Sequence, residues 1–65
     1  DVEGALAEFT RAIEQDPRSR DAYYNRGLAR ARLADPAGAC TDWRRALSLG
    51  HPRAADRLRE GCGTP

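Results

Sequence analysis

One stretch of this chain occurs twice, and that constrains the fold more than any other feature. Residues 35–51, DPAGACTDWRRALSLGH, align without a gap on residues 1–17, DVEGALAEFTRAIEQDP, with Asp1/Asp35, Gly4/Gly38, Ala5/Ala39, Arg11/Arg45 and Ala12/Ala46 identical. Leu6/Cys40, Glu8/Asp42, Phe9/Trp43 and Ile13/Leu47 keep their chemical type, so every match shares one period of 34 residues. A period of this length holds one helix-turn-helix unit, which buries its apolar face only by stacking on a neighbour. The chain is therefore expected to be an all-α stack.

Local signals divide the stack into helices. The first is expected over residues 2–15, with Asp1 as N-cap and Leu6, Phe9, Ala12 and Ile13 recurring on one face, until Asp16-Pro17 stops it. Ser19 caps a second, over 20–34, whose inner face is Tyr23, Gly27 and Ala31; Gly27 is expected opposite the small Ala39, where two backbones come too close for a side chain. Asp35-Pro36 opens a third, over 36–49, with Ala39, Cys40, Trp43, Ala46 and Leu47 inward and Gly50 at its end. Pro52 introduces a shorter fourth helix, 53–60, with Ala55, Leu58 and Cys62 as its inner edge and Arg53, Asp56, Arg57, Arg59 and Glu60 outside. Trp43 is expected at the centre of the core, between the second, third and fourth helices.

Between residues 20 and 51 the chain resembles the tetratricopeptide repeat (TPR) family, a helix-turn-helix unit of this period. Tyr23, Gly27, Ala31, Ala39, Trp43 and Ala46 fill the pattern of aromatic, Gly, small, Ala, aromatic and Ala. Pro17 stands at its usual place. Three positions depart from the pattern: Arg26 and Arg30 replace a Leu and a large aromatic, and the closing Pro52 comes one residue late, after His51. The resemblance implies an antiparallel helix-turn-helix stack, an α-solenoid fragment of about four helices with a short C-terminal capping helix. As one domain, 1–65, it divides into the second helix of a partial repeat (1–18), one full repeat (19–51), the capping helix (52–62) and a frayed tail (63–65). Beginning inside a repeat and without an initiator Met, the chain is expected to be a piece of a longer protein.

Composition excludes several functions. The basic residues are 11 arginines with no lysine, set against 10 acids, and Glu8, Glu14, Asp16, Asp21, Asp42, Asp56 and Glu60 are scattered among them. That is the pattern of a mixed solvated surface, and it counts against the basic stripe a nucleic-acid binder needs. No apolar run is long enough to cross a membrane. Thr10, Ser19, Thr41 and Ser48 read as caps or exposed helix positions, and with a lone His51 they make no set of nucleophile, base and orienting group. No catalysis and no cofactor are expected.

Cys40 lies ten residues before the turn at Gly50–His51 and Cys62 eleven after it, so an antiparallel hairpin brings them level. A Cys40–Cys62 disulfide then needs only an α-carbon separation within about 7 Å and an oxidising compartment. Two small buried apolar residues are the alternative. A metal site from Cys40, His51 and Cys62 is excluded by distance, because His51 would lie about 15 Å along the hairpin from both cysteines.

The resemblance also implies a concave groove lined by the first helix of each repeat, which here points to Asp21, Tyr24, Asn25, Leu28 and Arg32. Tyr24 and Leu28 would offer apolar contact and Asn25 an amide for a peptide backbone. Alternatively, Tyr24 and Leu28 pack on neighbouring helices. Of the residues by which some family members grip a chaperone's C-terminal carboxylate, only Asn25 is present. Three readings of function follow: a scaffold binding a protein or peptide, a structural spacer within its own longer chain, and a helical-repeat RNA binder acting through Arg26, Arg30, Arg32, Arg57 and Arg59. In the first copy of the repeat, Ala5, Phe9 and Ala12 form an apolar stripe expected to meet an upstream helix or, through Phe9, a second copy of the chain.

Overall fold

In the computed structural model, which describes residues 1–62, the chain forms four helices: α1 (Val2–Gln15), α2 (Arg20–Arg32), α3 (Pro36–Ser48) and α4 (Pro52–Gly61). The expected tail at 63–65 lies outside the described residues. Each helix opens on a side-chain cap. Asp1 accepts from the Gly4 N–H at 2.7 Å, Asp35 from Gly38 at 3.0 Å, Ser19 from Ala22 at 3.4 Å, and His51 Nδ1 from Arg53 at 3.2 Å. These contacts satisfy amide groups that have no partner inside the helix.

The helix ends differ from expectation by up to two residues, for a reason visible in the backbone. α2 stops at Arg32 because Ala34 takes a left-handed φ of 61°, and the Ala34 and Asp35 N–H groups turn back to the carbonyls of Ala31 and Arg30. α3 stops at Ser48 by the same device, with Gly50 at φ 99° and the N–H groups of Gly50 and His51 donating to Leu47 and Ala46. Glycine enters that region freely; Ala34 does so against its Cβ. α4 begins at Pro52 and reaches Gly61, one residue beyond expectation at each end.

Each helix packs on its neighbour in sequence, α2 on α3 most extensively, giving an antiparallel helix-turn-helix stack. The core is Tyr24, Ala39, Cys40, Trp43, Ala46 and Ala54, with Tyr23, Leu28, Leu58 and Cys62 packed against it. Trp43 Nε1 donates to the Tyr24 carbonyl at 3.3 Å, so the ring is buried with its polar atom satisfied.

Four expectations about facing are corrected. Gly27 faces the Trp43 ring, not Ala39: a Cβ there would lie 2.5 Å from Trp43 Nε1. Ala31 is exposed, because α2 is gripped by α1 and α3 together and its buried residues, Ala22, Tyr24, Gly27 and Ala29, wrap round the helix instead of following one stripe. Leu47 is 43% exposed, because the face α3 buries runs through Ala39, Cys40, Trp43 and Ala46 and leaves Leu47 beyond its edge. Ala54, not Ala55, is the fully buried alanine of α4, so that helix is turned by one residue from the expected seating.

Candidate functional site

The two arginines that broke the repeat pattern share one acid. Arg26 places Nε and Nη2 each 2.9 Å from the Asp42 carboxylate, and Arg30 adds Nη1 at 3.1 Å. Asp42 is 2% exposed, which corrects its assignment to a scattered, solvated surface. A buried carboxylate is tolerated only when its oxygens are satisfied, and here two guanidinium groups satisfy them. The hydrogen bond to Asp42 raises the Arg26 pKa above its ordinary value. Arg26 also lies over the Tyr23 ring, 5.7 Å from its centroid, with Arg45 at 5.8 Å. The sequence did carry a signal for this lock: two charges one turn apart on α2, at positions where the pattern wants apolar side chains, require an inward acid on the facing helix.

The five groove residues divide into two places. Tyr24 and Asp21 meet α4. Tyr24 is 7% exposed and stacks on His51, centroids 4.1 Å apart and planes at 9°, while its hydroxyl accepts from Arg57 Nε at 3.1 Å. That hydrogen bond is the first cause of a raised Arg57 pKa. Asp21 stands 3.5 Å from His51 Nε2. Tyr24 is thus a core residue joining α2 to α4, packed on a neighbouring element as the alternative reading had it, and its edge borders a second hollow with Arg53, Asp56, Arg57 and Glu60.

Asn25, Leu28 and Arg32 come together on the other side of α2. With Asp1, Val2, Ala5, Phe9 and Ala29 they line a cavity of about 360 Å³ between α1 and α2. Val2, Ala5, Phe9, Leu28 and Ala29 supply apolar surface, and Asp1, Asn25 and Arg32 supply polar groups. Asn25, Leu28 and Arg32 on α2, and separately Ala5 and Phe9 on α1, are the positions to which the repeat pattern points. That they are two walls of one space depends on the angle at which α1 meets α2.

Cys40 and Cys62 are bridged by a disulfide, with α-carbons 5.7 Å apart, tying the end of α4 to the first half of α3. His51 caps α4 at the opposite end of that helix. Among the described residues no group of three His, Cys, Asp or Glu side chains is placed to hold a metal ion. No helix among them is long and apolar enough to cross a membrane.

Four helices paired in sequence, repeating with a 34-residue period and offering a hollow lined by side chains without a reactive set, define a helical-repeat protein of the solenoid class. The chain belongs to the tetratricopeptide repeat family: the family model described as TPR repeat matches residues 1–33, which hold α1 and α2. That match covers the partial repeat and the first helix of the full one, complementing the resemblance read over residues 20–51. No curated protein and no solved structure matches the chain. Repeats of this family mediate protein–protein interaction and are typically scaffolds, not enzymes.

Proposed function

We propose that this chain is a non-catalytic interaction module that takes a segment of a partner protein into the hollow between α1 and α2. The observation that carries this reading is the lining: Phe9 and Leu28 offer apolar area, while Asn25 and Arg32 offer an amide and a guanidinium to orient a polar chain. The peptide-binding surface is accordingly Asn25, Leu28 and Arg32 with Phe9 and Ala5, and Tyr24 and Asp21 serve the α2–α4 junction instead. The RNA reading is disfavoured by the arginines it needs. Arg26 and Arg30 are held by Asp42, Arg57 by Tyr24 and Arg59 by Asp56.

The test is selection of binding peptides from a displayed library against the 65-residue chain, followed by affinity measurements on variants. Phe9→Glu and Leu28→Glu should abolish binding of the selected peptides, and Glu60→Gln, on α4, should leave it unchanged. Binding that survives both α1–α2 substitutions would place the interaction elsewhere.

A further inference from the structure

His51, the one histidine of the chain, sits where α2, α3 and α4 meet. Its N–H donates to the Ala46 carbonyl of α3, and its ring stacks on Tyr24 of α2 with Nε2 3.5 Å from Asp21 Oδ1. Pro52 has no N–H, so Arg53 carries the first amide of α4 that needs an acceptor, and His51 Nδ1 supplies one at 3.2 Å. The ring thus turns its lone pair toward Arg53 and carries its proton on Nε2, toward Asp21. Its side chain is 12% exposed. Little else holds this end of α4: Ala54 is the one buried residue of the helix, and Arg57 reaches the Tyr24 hydroxyl from an exposed position.

We infer that His51 is an acid-sensitive latch on α4: a proton taken up at Nδ1 removes the cap and frees the N-terminal half of the helix from Tyr24. Imidazole is the side chain that ordinarily gains a proton in mild acid. Protonated Nδ1 would present a hydrogen to the Arg53 N–H, donor against donor, and turning the ring over would put a carbon where the acceptor was. No orientation of the ring restores the cap. The new charge would also stand at the positive end of the α4 dipole, with cations around it: Arg20, whose Nη1 lies 3.1 Å from where a Gly50 Cβ would be, Arg53 on the capped residue, and Arg57 on Tyr24. The facing acids offset this weakly. Asp21 is 80% exposed, Asp56 is taken by Arg59, and Glu60 lies far along α4; from α3, Arg45 is turned to the Tyr23 ring. The released helix therefore takes the proton more readily than the docked one, and a falling pH favours release. Cys40–Cys62 anchors the other end, so the movement is a swing of the N-terminal half and not a loss of the helix.

The test is amide exchange of the disulfide-bonded 65-residue chain at about pH 7.5 and about pH 5.5, a window above the ordinary carboxylate range, expressed as protection so that the intrinsic effect of pH is removed. Residues 53–57 should lose protection about fivefold at the lower pH, the fold-change of a lost cap, while α1 and residues 39–46 keep theirs. His51→Asn caps through an amide oxygen that does not titrate and should abolish the difference. Equal protection at both pH values, the same loss in His51→Asn, or a uniform loss over all four helices each overturns the inference. A second measurement needs no variant: in a proton NMR titration the Tyr24 ring resonances should move with the same midpoint as the His51 imidazole. Tyr24 resonances that stay fixed while His51 titrates would overturn it as well.

Discussion

α1 and α3 are two copies of one sequence, yet α3 buries five residues, Ala39, Cys40, Asp42, Trp43 and Ala46, and α1 buries none. Caps, start points and apolar spacing agree between them. What differs is the number of neighbours: among the described residues α3 packs closely on both α2 and α4, while α1 packs closely on α2. The same side chains are core in one setting and a half-open wall in the other, because burial belongs to a contact and not to a residue.

The aromatic pair probes this difference most strongly. Trp43→Ala removes a buried ring and its hydrogen bond to the Tyr24 carbonyl, and should cost about 3–5 kcal/mol, comparable to the whole stability of a chain this small. Phe9→Ala, at the equivalent place, should cost about 1 kcal/mol or less. Chemical denaturation of the two variants measures both, and equal losses would show that α1 is as enclosed as α3.

The disulfide is the next distinction, since Cys40 is tied to α4 where the matching Leu6 of α1 has no such bond. Reducing it, or replacing both cysteines by serine, should lower stability by about 3 kcal/mol by freeing a closed loop in the unfolded chain. It should also loosen α4 before α1–α2, seen as faster amide exchange between residues 52 and 61. Unchanged exchange there would mean that Tyr24, His51 and Leu58 suffice to hold the helix.

A smaller effect separates the acids. Asp42→Ala leaves Arg26 and Arg30 facing each other without their carboxylate and should cost about 1.5–3 kcal/mol; both guanidinium groups reach some water, which limits the loss. Glu8→Ala should be neutral in the isolated chain. A thermal shift common to both would mean that Glu8 already has a partner. Smallest is the helix end: Ala34→Gly relieves a left-handed alanine and should stabilise by about 1 kcal/mol, bringing the end of α2 to the chemistry that Gly50 gives α3. No gain in thermal midpoint would place the strain elsewhere.

The order and extent of the helices were legible in the amino-acid sequence, because caps, proline starts and glycine stops act within a few residues of chain. Asp1, Ser19, Asp35, Pro36 and Gly50 do in the structure what their positions foretold. Helix faces were legible only in part. Periodicity finds a stripe, and it found Trp43, Ala39 and Ala46, but it failed for Ala31, Leu47 and Ala55, where one helix meets two neighbours or is turned slightly on its axis. The site divided along the same line. Asn25, Leu28 and Arg32 were legible as one face of α2, whereas the removal of Tyr24 into the core by His51 and Arg57 depends on residues 27 and 33 positions away. The sequence by itself determined the repeat, its period and the order of its helices to within two residues at their ends, since these arise from local hydrogen bonding and backbone sterics. Only the tertiary structure decided which carboxylate the arginines enclose, which tyrosine stacks on His51 and where α1 and α2 part to make a hollow, because each depends on distances between segments that no local rule sets.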